Sequence, residues 1–258
     1  MLGKLLKHEW NATARRYGLF YLVLALMTIG AVIMHGIPVE HPVYSVVEVS
    51  FLILYVLVLA AVLFCSVGMA VVRFYKNMVS DEGYLTFTLP AKVSQLVFSK
   101  FIVAFLWQIV TAVLVVLSLI CVFVLGHIEL KIVWDFAREV LEESGIAIPG
   151  LALILVTSLA YQITFYYLCI AIGQLFANQK LAGAIVSYCV LSFVVEIFNL
   201  ILVFVGFAIM GYSELETYFA SSAGMNAVYI FSAGLTAVLG VVAYFVTCFL
   251  LRRKLNLN

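Results

Sequence analysis

Six apolar stretches, at residues 17–35, 49–72, 101–125, 151–172, 181–205 and 227–251, divide the chain, and the connections between them collect nearly all its charge. Crossing about 30 Å of hydrocarbon at about 1.5 Å per residue takes about 20 residues, and each stretch meets that length. The pattern predicts an all-α integral membrane protein with six transmembrane helices. An even number of crossings puts both termini and the second and fourth connections on one side. Twelve of the 14 Lys and Arg fall there, and only Lys131 and Arg138 lie opposite. Basic residues are retained in the cytoplasm during insertion, so both ends are expected inside.

The connections are not all tethers. Residues 1–16 place Leu2, Leu5, Leu6 and Trp10 near helical spacing against Lys4, Lys7, Arg15 and Arg16. That pattern predicts an amphipathic interface helix on the inner surface, not a cleavable signal, since no small-residue cleavage site follows the first run. The segment 73–100 mixes charge with Tyr84, Leu85, Phe87 and Leu89, broken by Gly83 and Pro90. Apolar residues beside charges, in a segment unable to span, suggest docking to a protein or to the interface. Residues 129–144 carry Leu130, Val133, Trp134, Ala137, Val140 and Leu141 on one helical face and five carboxylates among the rest, an outer amphipathic helix stopped by Gly145. The fifth apolar region continues to Met210, about 45 Å as one helix, which suggests either a strong tilt or an excursion after Gly206.

Composition agrees with the pattern. Hydrophobic residues make up 66% of the chain and charged residues 10%, where a soluble domain has about 25% charged. Mean hydropathy is +1.20. A single transmembrane domain over 1–258 is expected. The five cysteines fall inside five different spans, with neither the spacing of a metal site nor the placement of a disulfide framework.

Polar residues inside the spans are few. Glu196 lies about 22 Å along the fifth helix from Leu181. Tyr188, Ser192, Glu196 and Asn199 share its face. A charge in hydrocarbon costs at least about 3 kcal/mol, so that face should meet other helices or a water-filled cavity. It lines a translocation path or a proton-sensitive site, or it clamps helices by hydrogen bonds. On the fourth span Thr157, Tyr161 and Thr164 form one strip with Ser158 and Gln162 beside it, and Gln108 and Thr111 add polarity to the third. Ser232, Thr236 and Gly240 put small residues at every fourth position of the last span, which allows close backbone approach.

Enzyme chemistry finds little support. There is no GxxxxGK[ST] loop, HExxH, GxSxG or aspartate within a span. Glu142 and Glu143 begin a glutamate-protease-like EExxxR, but Ala147 stands where the arginine belongs. His35, Glu40 and His41 fit no ligand spacing, and no basic patch interleaved with aromatic residues suggests nucleic acid. The chain is expected to be no enzyme, to bind no cofactor or metal, and to lie in a bacterial cell membrane.

The opening MLGKLLKHEW, the segment DEGYLTFTLPAKVSQLVFSK at 81–100 and the six-span layout together resemble the small type-2 ABC transporter permeases of Gram-positive anaerobes. The likeness is strongest over 81–100, where such permeases read GYLTFTLP, a variable stretch and then LL-SK. The outer helix at 129–144 is longer than in minimal members. The resemblance implies a permease that pairs with itself or a sister permease above two separate ATP-binding subunits, which hold the ATP and Mg. It implies that the connection after span two is the coupling segment. Asp81, Glu82, Gly83 and Tyr84 would then sit at or beside the ATPase groove, with Leu89, Pro90 and Lys92 at the return into span three. Family members handle peptides, drugs, lipids and ions, and export of an amphipathic small molecule is the expected role. The residues alone also leave open an ATP-independent channel or ion-coupled carrier using Glu196.

Overall fold

A computed structural model describes residues 2–36, 42–80, 92–125, 135, 138, 148–176, 179–210 and 221–253. Six long α-helices follow one another: α1 (Leu2–His35), α2 (Pro42–Met78), α3 (Val93–Leu125), α4 (Ile148–Gly173), α5 (Lys180–Met210) and α6 (Ser222–Arg253). Each is long enough and apolar enough to cross a membrane. No strand occurs among the described residues. The chain is a multi-pass, all-helical membrane protein.

Many large apolar residues face outward, and several small polar ones are buried. Phe193, Phe204, Phe231 and Phe245 are exposed, whereas Thr13, Ser66, Ser99, Thr111 and Thr247 are buried. Lipid tails are as apolar as leucine, so burying leucine gains little; small residues and interhelical hydrogen bonds hold such helices together.

Two compact units emerge, with the division falling inside α2 and α3: Met1–Ala70 with Ile102–Glu139, and Val71–Phe101 with Val140–Asn258. In the first unit, α1 runs without a break from Leu2, so residues 2–16 continue the first span and are not a separate helix. Their polar side explains this. Glu9 and Thr13 are buried in the unit together with Tyr17, and Trp10 stacks on Trp107 of α3 with centroids 4.3 Å apart. Tyr17 covers the indole at 4.5 Å and donates its hydroxyl to Ser66 O of α2 at 2.9 Å. Farther along, Ser118 of α3 lies 2.6 Å from both Thr28 of α1 and Tyr55 of α2. Leu24, Ala31, Leu59, Val62, Val115 and Val122 fill the space between these bonds.

In the second unit α4 packs along α6. Thr236 donates to Thr157 at 3.2 Å, and a Cβ added at Gly240 would touch Tyr161 Cα at 3.4 Å. The small-residue spacing on the last span therefore serves close packing, as its pattern predicts. The end of α2 joins the same unit: Phe74 stacks on Tyr167 at 3.8 Å, and Gln174 donates to Met78 O at 3.3 Å. The start of α3 does likewise through Tyr244, which donates to Ser94 O at 2.9 Å. The segment expected at 73–100 is thus mostly helix at its two ends, and residues 81–91 lie outside the described part. The fifth region is one helix to Met210, uninterrupted at Gly206. Of the outer helix expected at 129–144, Asp135 and Arg138 are described, both helical.

Candidate functional site

A tight antiparallel hairpin of α4 and α5 builds the site. Phe176 N donates to Gly173 O at 3.2 Å and closes the end of α4. Gly183 N donates to Gln179 O at 2.9 Å at the start of α5. The helices cross backbone to backbone: a Cβ at Gly173 would lie 2.6 Å from Ala184 N and 2.8 Å from its Cα. Only glycine permits that approach.

This crossing sets the register of two rows of side chains. Ser158, Gln162 and Tyr166 recur every four residues on α4, and Tyr188, Ser192 and Glu196 do so on α5. Residues four apart share a helix face, so each triplet forms a ridge. Tyr166 stacks on Tyr188 with centroids 5.7 Å apart and planes 24° apart. All six side chains line one recess of about 360 Å³, together with Tyr161 and Phe165. Phe165 meets Tyr188 edge-on at 5.9 Å and lies tilted against Tyr161 at 5.4 Å. Gln162 donates to the Tyr166 hydroxyl at 3.3 Å, a bond along the face of α4. Glu196 is exposed at the far end of the row.

Tyr166 and Tyr188 also wall a second recess of about 700 Å³, whose lining includes Val71, Val72, Ile170, Leu181 and Ile185 together with Tyr75, Lys76, Ser80 and Cys169. The two spaces adjoin at the tyrosine pair. Together they make a trough whose lining includes the Glu196 carboxyl in the smaller recess, the Lys76 ammonium in the larger and the two tyrosine rings in common.

Five of the six candidates for a translocation path, Tyr161, Gln162, Tyr188, Ser192 and Glu196, come together here. Asn199 does not line the recess; it shares the face of α5 but lies nearly one turn farther along the helix than Glu196. Thr157 and Thr164 instead border a separate apolar space of about 330 Å³ beside Thr236 and Gly240. Gln108 and Thr111 belong to the first unit, where Ser66 donates to Gln108 at 3.0 Å and Tyr21 pairs with Thr111 at 2.9 Å. Sequence reasoning missed Phe165, Tyr166 and Lys76. The four-residue spacing from Ser158 through Tyr166 was the available signal for the tyrosine.

Of the residues assigned to ATPase coupling, Asp81, Glu82, Gly83, Tyr84, Leu89 and Pro90 lie outside the described part. Lys92 is exposed just before α3, and its carbonyl accepts from Gln95 N at 2.9 Å. All five cysteines are free thiols. Among the described residues no group of three His, Cys, Asp or Glu could hold a metal ion.

No family model, curated protein or solved structure matches the chain. The trough has to be read from its own chemistry. It offers hydrogen-bond partners, one carboxyl and a large apolar surface, which is the equipment of a binding site.

Proposed function

We propose that this chain is the membrane-spanning permease subunit of an ATP-driven ABC transporter of a bacterial cell membrane, exporting a peptide, drug or other amphipathic small molecule. The observation that supports the reading is the trough beside α4 and α5, which brings polar groups and aromatic rings of apolar, span-length helices together beside a large apolar recess. The resemblance over 81–100 supplies the coupling, and the lack of a phosphate-binding loop requires a partner to hold the ATP. In this scheme the partner ATPases close on ATP and pull the connection between α2 and α3. The end of α2 packs against α4 through Phe74 and Tyr167, so that pull reaches the trough. A second permease, identical or sister, completes the assembly.

Co-expression with ABC ATP-binding subunits encoded beside this chain tests the reading. They should co-purify, and replacing Asp81, Glu82 and Tyr84 should uncouple ATP hydrolysis from transport. Absence of any co-purifying ATPase overturns it. One observation favours a second reading, an ion-coupled carrier: Glu196 lines the recess with Gln162 and Ser192. Flux that persists without an ATPase and is lost in Glu196→Gln would select the carrier.

A further inference from the structure

We propose that the smaller recess is a binding site for an organic cation, whose apolar tail lies in the larger recess beyond the tyrosine pair. Among the described residues, Glu196 is the charged one that lines the smaller space. The rings of Tyr161, Phe165, Tyr166 and Tyr188 line the same recess, with Glu196 about 12 Å along α5 from Tyr188. A recess that holds aromatic rings and, farther along, a carboxyl favours a quaternary or otherwise poorly hydrated cation: the ring faces carry negative charge density, and the carboxyl adds longer-range attraction. Gln162, held by its bond to Tyr166, supplies an acceptor for a cation that keeps a proton to donate.

The larger recess decides the rest of the ligand. Its lining is mostly apolar, with Tyr75, Ser80 and Cys169 beside the aliphatic residues; it shares the same tyrosine pair, and among the described residues Lys76 is the charged one that lines it. A ligand with a second positive group at its tail would be repelled there. An anionic amphiphile would have to lie the other way round and press its hydrocarbon against Glu196, leaving that carboxyl without a partner. The matching class is therefore a monocationic amphiphile.

The inference names the cargo class of the proposed permease, but binding by this chain requires no ATPase. Failure of the binding and failure of the transport reading are thus seen in separate experiments. Tritiated tetraphenylphosphonium is the probe, with the full chain in lipid nanodiscs. It should bind saturably and be displaced by dodecyltrimethylammonium at lower concentration than by tetramethylammonium, with dodecyl sulfate ineffective. Glu196→Gln should weaken binding by about tenfold or more. Tyr188→Leu should weaken it while Tyr188→Phe retains it, because the ring face and not the hydroxyl meets the cation. Equal affinity in Glu196→Gln, or displacement by dodecyl sulfate as effective as by the cation, overturns the proposal. Should Glu196→Gln not fold, the Tyr188 pair decides: equal loss in both variants, or none in either, overturns it.

Discussion

Trp107 donates its indole Nε1–H to Thr13 Oγ1 at 2.9 Å, while Tyr17 and Trp10 stack on its ring. Three residues of α1 therefore hold one residue of α3. Trp107→Phe keeps an aromatic ring in the stack and loses the bond, a cost of about 0.6 kcal/mol for a hydrogen bond between membrane helices. Trp107→Ala empties the space and should cost about 3–5 kcal/mol. The fraction of monodisperse protein surviving a heating series in detergent should fall slightly for the first and steeply for the second.

Gly173 should not tolerate a methyl group. Its Cβ would collide with the Ala184 backbone, which cannot turn aside as a side-chain tip can. Gly173→Ala should destabilise the hairpin by about 1–3 kcal/mol. Gly234, with nothing within 4 Å of a Cβ, provides the control: Gly234→Ala should be neutral or gain up to about 1 kcal/mol in helix propensity. Thermal stability of the two variants, compared in parallel, checks both outcomes.

The α4–α6 contact makes a milder prediction. Thr236→Val removes the bond to Thr157 yet keeps the shape, so the loss should be about 0.6 kcal/mol. Gly240→Leu drives bulk against the Tyr161 backbone and should cost more, about 1–3 kcal/mol. A larger loss for Thr236→Val than for Gly240→Leu would mean the hydrogen bond, not backbone proximity, dominates this contact.

Sidedness is open to direct measurement. A cysteine at Asn77, near the end of α2, should resist an impermeant maleimide on intact cells and react after permeabilisation. Labelling of intact cells would place that end outside and reverse the assignment made from the basic residues.

The six crossings were legible because hydrophobic length alone marks them. Where α1 begins was not. The stripe of Glu9, Thr13 and Tyr17 faces protein, and hydropathy cannot separate a polar stripe turned toward other helices from one turned toward water. The trough was half legible. Spacing put Tyr188, Ser192 and Glu196 on one face of α5, and Tyr161 and Gln162 were marked on α4. That the two sets meet, with Tyr166 opposite Tyr188, follows from the hairpin's register, which packing at Gly173 sets. Lys76 reaches the trough from a different helix, a proximity no local pattern encodes.

The joint at Gly173 and Ala184 acts like the rivet of a pair of shears. Glu196 lies 12 positions beyond Ala184, about 18 Å along the axis, so a swing of about 10° at the rivet would carry its carboxyl about 3 Å. Blades so mounted barely part beside the pin and gape more with distance from it, so the acidic side chain travels farther than the tyrosine pair.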